Sequence, residues 1–472
     1  MPTSPSYRPE TAILELGSDF YDPVAAADFP QTILRFRNDR AAAEVGLDGL
    51  SEEAWLRHFG RFEPLPGSLP QPLALRYHGH QFRHYNPDIG DGRGFLFAQM
   101  RDADERLMDL GTKGSGQTPW SRFGDGRLTL KGGMREILAT EMLEALGVRT
   151  SRTFSLIETG EALQRGDEPS PTRSAVMVRL SHGHIRIGTF QRLAYLEQED
   201  NLRKLTDYAL RHYHGEEGGE DAPLRLLRHV AAGTARLAAS YIAAGFVHGV
   251  LNSDNINITA ESFDYGPWRW TPMWDGHFTA AYFDHAGLYA FGRQPEAIHW
   301  DVVQLAVALR TIAPPEGLSE ALGGFPSQFQ AALRGQVFWR LGIEPGEDAR
   351  DSELLVAIEQ ALVKQQVSID RFFFDWRGGR RRAPSPAEAA YQAEEFKPLA
   401  DALVGRDPVA NALDHPYWSD AEPCSMHIEE VEAIWSQIDQ GDDWSALEAK
   451  VAAVRRMGEA LGRQPSPTSR PA

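Results

Sequence analysis

The sequence predicts an α+β protein organised in two lobes, a sheet-rich lobe followed by a helical one. Three observations predict this. Residues from about 85 to 180 run strand, strand, helix, strand, strand. A long helix with one apolar face then ends near Gly245 and delivers the chain into His248-Gly-Val-Leu-Asn-Ser-Asp-Asn255. Asp264-Tyr265-Gly266 follows after a short run.

Each element has a local cause. Residues 95–99 and 107–113 read as strands joined by a charged turn. Met134, Ile137, Leu138, Met142, Leu143 and Leu146 recur at helical spacing, and Gly147 sits where a helix C-terminus favours glycine. Residues 153–157 and 175–180 read as two further strands. Leu226, Leu227, Val230, Leu237 and Tyr241 mark the apolar face of the long helix. An aromatic segment with Trp268, Trp270, Trp274 and Phe278 reads as core or lobe packing rather than a base-stacking platform. Residues 300–309 read as a buried helix with Val303, Ala306 and Val307 on one side, and 350–460 as more helices. The expected units are an N-terminal extension (1–80), a small lobe (81–190), a helical large lobe (191–385), and a C-terminal helical extension with a disordered tail (386–472) that packs on the large lobe. Residues 1–8 and 463–472, rich in Pro and Ser, read as frayed.

The chain has 472 residues, enough for two or three structural units. Hydrophobic residues make up 42% and aromatics 10%, sufficient for sizeable cores. Lys plus Arg is 48 and Asp plus Glu is 66, a net charge of −18. That balance argues against non-specific binding to nucleic acid or anionic membranes and leaves room for local basic phosphate sites. The single cysteine, Cys424, cannot form an intrachain disulfide, in keeping with a reducing cytoplasm. Neither a secretory signal nor a bilayer-spanning apolar run is apparent.

The chemistry-bearing phrase is His248–Asn255 with Asp264-Tyr-Gly. Protein kinases write His-Arg-Asp-x-x-x-x-Asn and then Asp-Phe-Gly. Here the two magnesium-binding side chains survive as Asn255 and Asp264, and Val250 stands where the catalytic-base aspartate would. The two-lobed expectation therefore becomes a protein-kinase-like fold of pseudokinase type, one that keeps its metal and loses its base. An amide oxygen and a carboxylate, brought together across a hairpin, suit the hard, octahedral Mg2+ ion. The bland alternative is a polar turn followed by an exposed strand. Lys113 ends a strand and Glu136 lies early in the next helix, the arrangement by which a kinase aims its phosphate-binding lysine. Their alternative is an ordinary pair of surface charges. Arg179 and Arg186 flank a Ser-His-Gly-His turn and could fork onto a terminal phosphate, or simply be solvated. Asp254 adjoins Asn255 and could take a proton from an incoming hydroxyl, or only cap the turn.

Gly90-Asp-Gly-Arg93 recurs as Gly124-Asp-Gly-Arg127, which suggests two loops facing one ligand, with chance as the alternative. The glycine-rich runs 90–94 and 111–116 could let backbone N–H groups approach phosphate, yet neither is a Walker A motif and simple hairpin turns would read the same way. His78-Gly-His80 and His182-Gly-His184 lack companion ligands and read as polar loops. Ser121 and Ser253 lack a nucleophile elbow, and Cys424 reads as inert.

The residues also match a known family. The chain resembles the selenoprotein O (SelO/YdiU) family of protein adenylyltransferases. The matching blocks are Gly-His-Gln-Phe at 79–82, the two Gly-Asp-Gly-Arg runs, Lys-Gly-Ser-Gly-Gln-Thr-Pro-Trp-Ser-Arg at 113–122 and Arg-Glu at 135–136. They continue with His-Ile-Arg-Ile-Gly at 184–188, Phe-Val-His-Gly-Val-Leu-Asn-Ser-Asp-Asn at 246–255, Asp-Tyr-Gly-Pro at 264–267, and Gln-Pro-Glu with Trp300 at 294–300. The resemblance implies a kinase-like fold with a flipped ATP, and transfer of AMP to Ser, Thr or Tyr hydroxyls of protein substrates with release of pyrophosphate. It implies nucleotide contacts from Gly90, Gly92, Arg93, Lys113, Asp125, Gly126, Arg179, Arg186 and Asp264, with Glu136 holding Lys113. Asn255 and Asp264 would hold Mg2+, and Asp254 would accept the proton. Remaining readings are a silent nucleotide-binding module, a phosphoryl-transferring kinase, and UMP transfer with Mn2+. The family's Arg-Asn-Tyr block and terminal Cys or selenocysteine pair are not found here, so redox control through a terminal disulfide is not expected. Oligomeric state is not legible.

Overall fold

The computed structural model describes residues 6–166, 168–382 and 384–462. The frayed ends expected at 1–5 and 463–472 lie outside the described residues. Arg8, expected to fray with them, instead begins a paired strand.

The first 80 residues are less an extension than part of the small lobe. They supply β1 (Arg8–Glu10), β2 (Tyr21–Pro23), β3 (Ile33–Arg37), α1 (Asp39–Glu44), α2 (Glu52–Phe59) and β4 (Leu73–Leu75). The boundary expected at residue 80 falls inside a separate hairpin of β5 (Gly79–Gln81) and β6 (His84–Asn86). Then follow β7 (Leu96–Arg101), β8 (Leu107–Lys113), β9 (Leu128–Thr129), α3 (Leu130–Ala145), β10 (Arg152–Leu163) and β11 (Thr172–Ser181). One nine-stranded antiparallel sheet runs in the order β2-β4-β7-β8-β11-β10-β3, with β1 beside β7 and β9 beside β11.

Alternation along the strands buries both faces of this sheet. Val176, Val178 and Leu180 of β11 join Trp55, Phe59, Phe97 and Phe154 under α1 and α2. Ala175 and Met177 point the other way, onto Met134, Ile137 and Leu138 of α3. Thr129 caps α3 by accepting from the Gly132 N–H at 3.1 Å. Gly147 has a φ of 74°, the left-handed conformation that ends the helix.

The large lobe begins with α4 (Ile187–Tyr195), α5 (Glu199–Ala209) and the 23-residue α6 (Ala222–Ala244), which stops at left-handed Gly245. β12 (Phe246–Val247) pairs with β13 (Arg269–Trp270), and α7 (Gln294–Leu309), α8 (Pro315–Gly323), α9 (Phe325–Leu341), α10 (Asp348–Gln365) and α11 (Ile369–Asp375) follow. α7 begins six residues earlier than the periodicity suggested, and its inward face differs. Ile298, Val302, Leu305 and Leu309 are buried, whereas Val307 is 50% exposed, because helical periodicity carries it away from that stripe. Trp268 and Trp270 are core residues, as read from the sequence.

The C-terminal region divides its packing. α12 (Glu388–Tyr391) and α13 (Lys397–Leu403) join the core built around α9, α10 and α11. α14 (Ile428–Gly441) and α15 (Ser445–Leu461) instead lie against α3 of the small lobe. Lys131 Nζ meets Glu432 at 2.7 Å, and Arg455 Nε donates to Glu141 at 2.7 Å. The expectation that the whole segment packs on the large lobe is therefore corrected: an apolar core shared with α3, flanked by complementary charges, holds its last two helices there. No described helix is long and apolar enough to cross a membrane.

Candidate active site

A cavity of about 810 Å³ opens between the lobes. Seven Lys or Arg side chains and four Asp side chains line it, a cationic surplus in a chain of charge −18. Lys113, at the end of β8, is 5% exposed and ion-paired with Glu136 of α3. The helix alignment that buries Met134 and Ile137 against the sheet also turns Glu136 inward. Burial lowers the Lys113 pKa, and the Glu136 and Asp264 carboxylates oppose that shift.

Asp264 is the electrostatic hub. Its Oδ1 accepts from Arg179 at 2.7 Å, its Oδ2 from Arg186 at 2.7 Å, and Lys113 Nζ lies 3.8 Å away. Burial pushes its carboxyl pKa up, but Arg179, Arg186 and Lys113 together outweigh burial and hold it well below the usual range. Its φ of 62° is left-handed, a strained state for a residue other than glycine that recurs at functional sites. Arg179 comes from β11 and Arg186 from the N-terminus of α4, so three separate elements converge on one carboxylate.

Asn255 and Asp264 line the same cavity. The hairpin expected between them does not form by internal pairing. Instead Asn257 bridges Arg186 and Ser262 bridges Thr150, so neighbouring segments hold the connection open. Asn255 Nδ2 donates to the Val250 carbonyl at 3.0 Å, which leaves Oδ1 as the atom that could meet a cation. His248 Nε2 lies 3.0 Å from the Phe263 carbonyl and ties this loop to the residue before Asp264. An amide oxygen and a carboxylate are a donor set of the kind Mg2+ takes.

Asp254 is 7% exposed, and its Oδ1 has no hydrogen-bond partner among the described residues. Burial raises its carboxyl to about 6, with the Arg186 charge pulling the other way. Both Gly-Asp-Gly-Arg loops line the cavity, bringing Gly90, Gly92, Arg93, Asp125 and Gly126 to it. Gly126 has a φ of 70°, and a Cβ there would lie 2.2 Å from the Gly116 carbonyl carbon. A side chain there would push the 124–127 loop away from Gly116. Asp125 is held by Arg165, Nη1 to Oδ2 at 2.8 Å.

Several residues in or beside the cavity are not marked by the sequence reading. Asp91 faces Arg186 at 3.5 Å and accepts from the Leu75 N–H at 3.0 Å. Its place in the repeated tetrapeptide was a usable signal. Tyr77 and Phe263 sandwich the Arg186 guanidinium, at 4.5 and 4.6 Å from the ring centroids; nothing local marked them. Asp301 of α7 is buried, and its pKa is raised well above the ordinary value by that burial and by Asp254. Cys424 is half-buried, and burial pushes its thiol up to about 11, which disfavours the reactive thiolate.

Fold and cleft together define a kinase-like protein with a basic cavity of about 810 Å³ and valine at the usual base position. A family model described as protein adenylyltransferase SelO matches residues 5–401. Protein nucleotidyltransferase YdiU of Gloeobacter violaceus is 44% identical over 468 residues, 95% of each chain. The protein of that name from Synechocystis sp. is 47% identical over 379 residues, 78% of this chain and 79% of the relative. The chain belongs to the SelO family and is a nucleotidyltransferase. Among solved structures, ROP2 from Toxoplasma gondii, titled a virulence factor with a protein-kinase fold and no enzymatic activity, aligns over 65% of this chain and 84% of that one at 12% identity. Its TM-score is 0.27.

Proposed function

We propose that this protein transfers AMP from ATP to Ser, Thr or Tyr hydroxyls of protein substrates and releases pyrophosphate. The observation that carries the reading is an asymmetry of the cleft. Lys113, Arg179 and Arg186 gather on one carboxylate, while Asp254 presents an unpartnered carboxyl oxygen and Val250 offers no base. Three cations suit the outer phosphates and leave the α-phosphorus for attack. The acceptor oxygen bonds to that phosphorus, the bond from it to the bridging oxygen breaks, and pyrophosphate departs with the electron pair. Asp254, ionised at neutral pH, takes the hydroxyl proton. Lys113 and the two arginines stabilise the charge that builds on the leaving group. Asn255 and Asp264 would hold Mg2+, which when bound shields phosphate charge from the attacking oxygen. The single half-buried thiol fits a cytoplasmic setting.

ATP labelled at either the α or the γ phosphate tests the proposal. Label retained on protein from the α position alone is the expected result. Retention from γ alone would establish kinase chemistry, and binding with no transfer would establish a silent module. UTP with Mn2+ in the same assay reports base and metal preference.

A further inference from the structure

The Gly-His-Gln-Phe run at 79–82 has no part in the chemistry described so far, yet it lies directly on Asp254. Side chains alternate along β5. Gly79 and Gln81 face Asp254, and His80 faces the Trp300 ring, 5.1 Å between centroids. A Cβ at Gly79 would stand 2.7 Å from Asp254 Oδ1 and 2.8 Å from its Cβ, so any side chain there would displace the carboxyl. Gln81 lines the same cavity as Asp254. Its Oε1 accepts from Asn86 Nδ2 across the hairpin at 3.0 Å. With that oxygen committed, the amide NH2 is the end left to act as a donor on the Asp254 side of the strand.

The hairpin is fastened to both residues preceding Asp254. The His80 N–H donates to Ser253 Oγ at 2.7 Å, and the Phe82 N–H to Asn252 Oδ1 at 3.0 Å. Gln191 of α4 closes the ring, accepting from Ser253 Oγ at 2.6 Å and reaching His80 Nδ1 at 2.7 Å. The turn between Gln81 and His84 consists of Phe82 and Arg83, with φ of 50° and 63°. A free hairpin would use Asn-Gly there. Two successive left-handed residues other than glycine are strained. They are held by Phe82 against Tyr289, at 5.0 Å, and by Arg83 over Trp300, at 5.4 Å. Strain of this sort collects where function dictates the backbone.

We propose that Gln81, its amide oriented by Asn86, is a positioning residue for the acceptor side of the reaction: it aims the Asp254 carboxyl at the incoming hydroxyl, and the 79–86 hairpin is the wall along which that hydroxyl enters. The inference rests on the reading of Asp254 as proton acceptor. A kinase-like loop with valine at 250 has moved its carboxyl four residues along, and the hairpin supplies the support that the usual position does not need.

The test uses the full chain, Mg2+, α-labelled ATP and a heat-treated lysate as a pooled protein acceptor, with label counted in precipitated protein. Affinity for α,β-methylene ATP by calorimetry and thermal stability are measured alongside. Gln81→Ala should lower turnover between about 10- and 100-fold, the cost of a misplaced catalytic group, with nucleotide affinity and Tm unchanged. Gln81→Glu, which sets a carboxylate against a carboxylate, should lose at least as much. Asn86→Ala should show the same pattern, and the double variant should be no worse than Gln81→Ala, because Asn86 acts through Gln81. Wild-type turnover in Gln81→Ala, additive losses in the double variant, or losses that follow nucleotide affinity would overturn the inference. Asp254→Asn separates the two readings. If it is inactive while Gln81→Ala is fully active, only the positioning role fails. If it retains full transfer, the proton-acceptor reading fails and takes this inference with it.

Discussion

Asp254→Asn should cost the protein its activity and make it more stable. Burial raises the Asp254 carboxyl from 3.8 to about 6 in the fold. A group raised in this way contributes stability that is complete below its unfolded pKa and is lost as pH rises through its folded pKa. For Asp254 the loss runs from about pH 4 to about pH 6, and above that window the ionised side chain costs the fold about 3 kcal/mol, at about 1.4 kcal/mol per pKa unit. Asparagine cannot ionise. It does place a buried amide where Oδ1 has no partner, which offsets about 1 kcal/mol of the gain. The net gain near neutral pH is then about 2 kcal/mol. With an unfolding entropy of about 2 cal/mol/K per residue over 472 residues, Tm should rise by about 2 °C if the chain unfolds in one transition. Scanning fluorimetry in EDTA without nucleotide, across about pH 4.5 to 8, should show no gap at the acid end and the full gap at neutrality. A Tm offset that is the same at every pH would refute the reasoning, because it would mean that the carboxyl is not desolvated.

Three further outcomes follow from the same geometry. Asp264→Ala should abolish transfer. It should also destabilise the fold by about 3–5 kcal/mol, because Arg179, Arg186 and Lys113 lose their shared counter-charge; label counting and urea denaturation check both. Lys113→Met should weaken ATP binding by about 10- to 100-fold, the loss of one or two charge-assisted hydrogen bonds, and calorimetry measures the affinity. Gly126→Ala should lower both nucleotide affinity and Tm, by about 1–3 kcal/mol of stability, and unchanged values would show that the close approach to Gly116 is relieved at no cost.

The pieces of the site carried by one short stretch were legible in the chain. The spacing of Lys113 and Glu136, the Asn255–Asp264 phrase and the repeated Gly-Asp-Gly-Arg each lie close together in the chain, although bridges to Arg186 and Thr150, not internal pairing, shape the stretch between Asn255 and Asp264. The structure brings Lys113, Asn255, Asp264 and both tetrapeptides to one cavity, with Glu136 paired to Lys113. The α3 periodicity and its Gly147 stop were legible for the same reason. Less was legible where a residue's role depends on a distant partner. Nothing near Arg8 or Leu73 in the sequence marks them as strands of a sheet completed by residues 152–181. The inward face of α7 was misjudged because its period admits several stripes, and only the packing of Leu305 and Leu309 selects one.

What the sequence determined unaided was therefore the class of fold, the run β7, β8, α3, β10, β11 with the long α6 after it, and most of the charged groups that converge. What only the tertiary structure decided was how those groups are shared: two arginines and a lysine on Asp264, Asp254 left with an oxygen unpartnered, the 79–86 hairpin laid over it, and α14 with α15 drawn onto α3. Local conformation is set by side chains a few residues apart, whereas burial, pairing and the pKa of a carboxyl depend on groups that meet only after the chain has closed on itself.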